Sequence, residues 1–299
     1  MLDLRRLEAL QAIATHGSVS EAAAALELSA SAVSQQMAKL EAEVGQKLLM
    51  RQGRGVKLTE AGRLLASRSE QILSVVARTE AELDSHRGTV SGNLTVVGFA
   101  TAIRGLVPVA AARLATEHPD LTLNVNEAEP DEGLKLVVRG DADIAVVDSW
   151  HNAPLAIPEG LLRMWLMADT ADIALPADHP LADRDTIDLR DLDNEPWVSW
   201  PKGTICHDWL TVTMRNLGCE AKIAHTAMEH TSQLALVAAG LGAAAIPTLG
   251  RDPVPDSVRM VPPDTPLIRE IHAVWRDEAS ERPAIKAALS ALALHSSEG

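Results

Sequence analysis

The 299-residue sequence predicts an α + α/β chain: a helical module with a two-stranded wing, one long helix, and a larger α/β region. Three observations carry this. Two helical runs lie side by side near the N-terminus, parted by a tight break at Glu27-Leu28-Ser29. A stretch rich in Ala, Leu, Arg and Glu runs from Glu60 to about His86 with no Pro and no Gly beyond Gly62. Beyond Gly92, strand-like apolar runs alternate with helical ones.

The first helix is read from Leu4, Leu7, Leu10 and Ala14. Ser20 is placed as N-cap of the short run Glu21 to Leu26, with Val19 as the apolar residue just outside it. Ser29 is placed as N-cap of the longer run Ala30 to Val44, and Gly45 as its left-handed C-cap. In that run Val33, Met37, Leu40 and Val44 form one apolar stripe, to be packed on the two preceding helices. The opposite face carries Ser31, Gln35, Ala38 and Ala42, with Ser34 on its flank. Small and amide side chains at the exposed start of a helix suit a major groove, where Gln bonds an adenine edge and Ser reaches bases or phosphates. Taken alone, the pattern equally fits a helical hairpin with solvated Ser and Gln.

The next segment favours the DNA reading. Lys47, Arg51, Arg54 and Lys57 lie within eleven residues that contain no acid. Arg51-Gln52-Gly53-Arg54-Gly55-Val56-Lys57 reads as a two-stranded wing with a glycine turn, placed to hold phosphates.

Residues 4 to 62 resemble the winged helix-turn-helix domain of LysR-type transcriptional regulators. The matching residues include Leu7, Gly17-Ser18, Ala22-Ala23, Leu26, Ser29, Ala32-Val33-Ser34, Gln36, Leu40-Glu41, Gly45, Leu48, Arg51, Arg54, Leu58-Thr59 and Ala61-Gly62. The family usually has Gln-Pro where this chain has Ala30-Ser31, and often Arg where it has Gln35. These departures fall on the base-reading face and bear on the target sequence, not on the fold. The resemblance implies DNA contact by Ser29, Ala30, Ser31, Ser34, Gln35, Lys39, Arg51 and Arg54.

Thr59 is a candidate N-cap for the long helix, whose stripe of Leu65, Ile72, Val76, Thr79 and Leu83 is widened by Leu64 and Val75. Such a stripe packs either on its own domain or on a second copy. The resemblance implies the second, a homodimer or homotetramer presenting paired recognition helices to an inverted-repeat operator in double-stranded DNA. Arg87-Gly88-Thr89-Val90-Ser91-Gly92 reads as a hinge.

After the hinge, strands at Asn93 to Gly98, Leu121 to Val125 and Ala142 to Val147 alternate with helices at Leu106 to Glu117 and Leu134 to Arg139, as in a parallel sheet covered by helices. A second series follows: Leu166 to Leu175, Trp197-Val198, a helix from about Cys206 to Asn216, Ile223-Ala224, a helix from Thr231 to Ala239, and Ala243 to Ile246. A late strand, Ile268 to Trp275, and a final helix, Arg282 to Leu294, close the chain. This region resembles the two-lobed, periplasmic-binding-protein-like effector domain of the same family. The residues are Gly98, Leu106-Val107-Pro108, His118-Pro119, Gly140-Asp141-Ala142-Asp143, His179-Pro180-Leu181, Leu189, Asp191-Leu192, Gly240-Leu241-Gly242 and Pro247. The expected domains are residues 1–62, a linker helix over 60–87, and an effector domain over 92–299. Lobe I takes about 92–165 and 267–299, and lobe II about 166–266. Ligands bind such lobes at strand C-terminal ends, near helix starts that suit an anion. The candidates are Ala100, Thr101, Ala102, Ser149 beside Asp148, Trp200, Thr204, His230 and Thr231, with Thr101 foremost; a plain N-cap role competes for each Thr.

Composition closes off other classes. No apolar run is long enough for a membrane span, and the start has no signal-peptide core, so a cytoplasmic protein is expected. Residues 1–90 carry 11 Lys/Arg and 11 Asp/Glu, whereas residues 91–299 carry 16 and 30, so the net −14 belongs to the second region. DNA should repel that region, which keeps it off the duplex. Two cysteines make no disulfide framework. Cys206 and Cys219 sit roughly where peroxide-sensing relatives carry a redox pair, and a helix start at Cys206 would lower its pKa. Cys219 follows Gly218 where an apolar filler is expected, and spectator thiols are the favoured reading. The adjacent residues Cys206-His207-Asp208 cannot converge as a catalytic triad does. The ten His show no metal-ligand spacing, and no cofactor or enzyme activity is expected. The expected function is effector-controlled transcription regulation, with RNA polymerase a further partner under the resemblance. The alternative is a ligand-sequestering protein whose N-terminal helices serve only dimerisation.

Overall fold

The computed structural model describes residues 2–52, 55–87, 90–251 and 253–294, with backbone alone for residues 51, 52 and 55 and parts of the long helix. The chain divides into two compact units between residues 88 and 89. The wing turn at Gly53-Arg54 and the hinge residues Gly88 and Thr89 lie outside the described residues.

In the first unit α1 (Leu4–His16), α2 (Val19–Ala25) and α3 (Ala30–Val44) bury Leu7, Leu10, Ile13, Ala22, Val33, Met37 and Leu40 in a shared core. Helix α2 is capped by Ser18 rather than Ser20. The Ser18 hydroxyl accepts from the Glu21 N–H at 3.1 Å and donates to the Glu21 carboxylate at 3.0 Å. Ser18 wins because Glu21, three residues on, supplies both the N–H its hydroxyl accepts from and the carboxylate it donates to. The break before α3 places Glu27 at φ 53°, in the left-handed region. Ser29 caps α3, its hydroxyl accepting from Ala32 N–H at 3.1 Å, and Gly45 ends it at φ 68°. Ser29→Ala is expected to cost about 1 kcal/mol, read as a lower unfolding midpoint of the helical signal.

The wing pairs β1 (Leu49–Gln52) antiparallel to β2 (Gly55–Leu58). Glu41, on α3, fastens it. Its carboxylate accepts from the backbone N–H of Leu48 at 2.9 Å and of Leu49 at 3.2 Å, and from Lys47 Nζ at 2.6 Å. Burial opposes the Glu41 charge, but these donors prevail and hold its carboxyl below the ordinary range. Thr59 caps α4 (Glu60–Arg87), accepting from Gly62 N–H at 3.0 Å and donating to Lys47 O at 2.7 Å. The start of α4 packs on the core through Ala61, Leu65 and Ala66, whereas Leu64, Ile72, Val75 and Leu83 are exposed.

The second unit begins with β3 (Gly92–Gly98), α5 (Ala100–Gly105), α6 (Val107–Glu117), β4 (Leu121–Glu127), α7 (Pro130–Arg139) and β5 (Ile144–Trp150). Strand β3 runs parallel to both β4 and β5. Then come β6 (Leu161–Pro176), β7 (Pro196–Ser199), α8 (Ile205–Asn216), β8 (Lys222–Thr226), α9 (His230–Ala238), β9 (Ala244–Pro247), β10 (Val258–Val261), β11 (Leu267–Arg276) and α10 (Pro283–Leu294). The main sheet has the order β10-β6-β11-β5-β3-β4, with β9 also on β6. Strands β7 and β8 pair in parallel and reach β9 through the Trp197–Ala243 bridge.

Two large cores define two lobes. One holds Leu94, Val96, Leu106, Ile144 and Ile285; the other holds Ile187, Trp197, Trp209, Leu210 and Met214. Strand β6 carries Leu166 into the first and Ile173 into the second. Strand β11 returns, with Leu267 in the second and Ile271, Ala273 and Trp275 in the first. The chain therefore crosses between lobes on one antiparallel ladder, with a bulge at Ile271/His272. Three features exceed the sequence reading. Strand β6 begins at Leu161 because β11 continues to pair with it there; α5 is helical; and β10 pairs with the end of β6.

Candidate DNA-reading face and effector cleft

On α3, burial of Val33, Met37 and Leu40 turns Ala30, Ser31, Ser34, Gln35, Ala38, Lys39 and Ala42 to the exposed side. The Ser29 and Ser31 hydroxyls are hydrogen-bonded at 2.9 Å, so the cap also orients Ser31. Arg51 stands on β1, while its side chain and all of Arg54 lie outside the described residues.

A buried ion cluster joins α5, β5, β6 and β11, the last two being the strands shared by both cores. Arg269, on β11, is 2% exposed. Its Nε and Nη2 donate to Asp169 Oδ2 at 2.9 and 2.7 Å, and its Nη1 donates to Asp148 Oδ2 at 3.0 Å. Nη2 also donates to the Thr101 hydroxyl at 2.8 Å. The guanidinium lies 5.0 Å from the centre of the Phe99 ring and 5.9 Å from that of Trp150. The second Asp169 oxygen accepts from Leu249 N–H at 2.9 Å. Burial works against the Arg269 charge, but Asp148 and Asp169 outweigh it and push the guanidinium pKa up. Burial pushes the Asp148 carboxyl up, against the pull of Arg269.

Of the sequence-predicted residues, Thr101 is bonded to this cluster. Thr101 and Ala102 are buried in α5, and the Thr101 hydroxyl accepts from Arg269. Ala100 is half-buried at the start of α5. Ser149 accepts from Leu155 N–H at 3.1 Å. Thr204 caps α8, accepting from His207 N–H at 3.3 Å and donating to Pro201 O at 3.0 Å. Trp200 is buried and meets the His230 ring edge-on at 5.4 Å; Thr231 is exposed.

The sequence reading did not single out Arg269, Asp169, Glu129 or Glu229. A signal existed for two of them: Asp169 and Arg269 are charges inside strand runs that are mostly apolar. Glu129, just before α7, has its carboxyl pushed up to about 7, by burial first and then by Asp148, Glu127, Glu229 and Asp131. Glu229, just before α9, accepts from Arg104 Nη1 at 3.2 Å, and Arg104 Nε donates to Gly250 O at 3.1 Å.

Both thiols are free, and Cys206 is buried, in line with spectator thiols. Cys206 lies in the first turn of α8, yet burial overrides the helix terminus and pushes its pKa well above the usual thiol range. Cys219 is raised too, chiefly by desolvation. Among the described residues no three His, Cys, Asp or Glu form a group able to hold a metal, and no helix is long and apolar enough to cross a membrane.

A capped reading helix beside a wing, followed by two lobes around a cleft, defines a helix-turn-helix DNA-binding protein with a ligand-binding α/β domain. Residues 4–63 match the bacterial regulatory helix-turn-helix proteins of the lysR family, and residues 87–296 match the LysR substrate binding domain. The chain belongs to the LysR family of transcriptional regulators. It is 28% identical over 290 residues to the HTH-type transcriptional regulator YnfL of Escherichia coli, covering 95% of this chain and 96% of YnfL. It is 27% identical over 258 residues to the transcriptional activator IlvY of Salmonella typhimurium, covering 86% of each. Its fold is similar to that of a full-length OxyR variant from Pseudomonas aeruginosa, with a TM-score of 0.70 at 20% identity over 98% of each chain.

Proposed function

We propose that this regulator reads an inverted-repeat operator with α3, using Ala30, Ser31, Ser34, Gln35 and Lys39 in the major groove. Ser29 orders the helix start, and Arg51 and Arg54 hold phosphates. The carrying observation is the exposed, small-residue face of α3 over a fully packed core. The domains are proposed as a DNA-binding part over 1–62, a linker helix over 60–87 and an effector domain over 92–299. Exposed Leu64, Ile72, Val75 and Leu83 support pairing of α4 with a second copy, giving a homodimer or homotetramer. The protein works in the cytoplasm without turnover of its ligand, and RNA polymerase is a further partner.

A small molecule enters between the lobes against Ala100, Ser149, Trp200, Thr204, His230 and Thr231. Thr101 and Ala102 form the supporting layer. By binding one lobe arrangement better than another, it shifts the population of subunit arrangements and so the spacing of half-sites.

Footprinting in cells tests the reading: a few sharp sites sharing an inverted repeat are expected. Gln35→Ala should change which bases are preferred, at about 1–3 kcal/mol for the base it reads. Arg54→Ala should weaken all sequences alike and lower the salt slope by about one. Ligand binding without any DNA site would instead favour the sequestering protein.

A further inference from the structure

The described cleft walls hold more acid than base. Glu129 and Asp148 stand on one lobe, Glu229 on the other, and Asp169 on the crossing strand. The guanidinium groups facing them are committed within the protein: Arg269 to Asp148, Asp169 and Thr101, and Arg104 to Gly250 O and Glu229. Lys202 is exposed on the turn before α8. Thr101 and Thr204, the hydroxyls that read as anion contacts in the sequence, are engaged by protein groups.

An independent observation lies at the mouth of α9. Gln233 is fully buried, and its Nε2 donates to Ala227 O at 2.8 Å, so its amide reaches back to the segment that leads into α9. Gln233 Oε1 has no hydrogen-bond partner, nor has Ser199 Oγ at the C-terminal end of β7, where strand ends face a ligand cleft. Buried acceptors without donors call for an N–H or O–H group.

Resting on the reading of this cleft as the effector site, we propose that the effector carries a positively charged nitrogen, an ammonium or guanidinium, held between Glu129 and Glu229. Gln233 Oε1 supplies a further acceptor. The cation makes charge-assisted bonds to a carboxylate on each lobe, sharing Glu229 with Arg104, and so links the lobes and favours closure.

The pH dependence follows. Glu129 gains a proton near pH 7, raised by burial and by Asp148, Glu127, Glu229 and Asp131 around it. A proton there competes with the cation. Affinity should be constant well above pH 7 and fall up to about tenfold per pH unit below it.

The test uses the full-length protein with putrescine, agmatine and choline as cationic probes, and succinate and phosphate as anionic ones. Tryptophan fluorescence follows unfolding. At least one cation should raise the melting temperature, more at pH 8 than at pH 6. Glu129→Gln and Glu229→Gln should each remove that response, and Glu129→Gln should also flatten the pH dependence of stability in the second unit. Stabilisation by no cation, stabilisation by the anions instead, or an unchanged response in a folded Glu129→Gln protein would overturn the proposal. Footprinting with the same wild-type preparation separates the two ideas. Sharp DNA sites without a cation response remove only the ligand class, whereas no sites at all remove the regulator reading.

Discussion

Arg269→Met is expected to destabilise the second unit by about 3–5 kcal/mol, because it strands charged groups where water cannot reach them. Asp148 and Asp169 are each nearly fully buried, and both take their charged hydrogen bonds from Arg269. Without the guanidinium they face each other in the cluster, and Thr101 loses its donor. Asp148→Asn should do much less harm. Arg269 keeps both bonds to Asp169, and the cluster passes from net negative to neutral. All six tryptophans lie between residues 150 and 275, so their fluorescence during denaturant unfolding reports this unit alone. The Arg269→Met penalty should be smaller at acidic pH than at pH 7. Carboxyls deprived of their cation have raised folded-state pKa values, so the variant loses stability as pH rises through them. Equal losses in the two variants would show that the cluster contributes packing and not charge.

Gly62→Ala is the second large effect, and it falls on the other unit. A methyl group on Gly62 would lie 2.2 Å from the Leu48 carbonyl oxygen and 3.1 Å from its carbon. That oxygen also accepts from Thr59 N–H at 2.9 Å, and the Leu48 side chain is buried. The segment entering the wing cannot retreat without breaking the α4 cap and the Glu41 anchor. Overpacking of this kind costs about 1–3 kcal/mol or more, against a gain of about 1 kcal/mol from the better helix former. Displacement of the wing from α3 should cut operator affinity more than tenfold, while the tryptophan-detected unfolding of the second unit stays put. Gel-shift titration and fluorescence on one preparation check both halves. Wild-type operator affinity would show that the wing tolerates the shift.

What could be read in advance follows from range along the chain. The α3 boundaries were legible because Ser29 and Gly45 act on their immediate neighbours. The α2 cap was misplaced by two residues because two serines compete and the deciding partner is Glu21. The parallel core of β3, β4 and β5 follows from apolar runs spaced by helices. Helix α5 was not legible: it is six residues long and held by close backbone contact, Gly105 and Gly250 each leaving no room for a Cβ. The ion cluster joins residues 100 to 168 positions apart, which no local pattern reports. Asp148 was placed at a strand end facing the cleft, but its partner Arg269 sits within a strand otherwise read as core. Glu129 is not legible in the sequence because only the fold brings Asp148 and Glu229 near it.

The ladder of β6 and β11 extends from Leu161 opposite Arg276 to Ala171 opposite Leu267, through both lobes. A slip of one residue along it would break its hydrogen bonds together and turn Arg269 to the opposite face of the sheet. Twisting breaks none of them. The ladder therefore resists sliding of the lobes along the strands while leaving their rotation open. The bulge at Ile271/His272 shifts that register, and Asp169, accepting from Arg269 and Leu249, ties the ladder to the segment after β9. The proposed ligand would thus be read through this domain without any strand changing its partner.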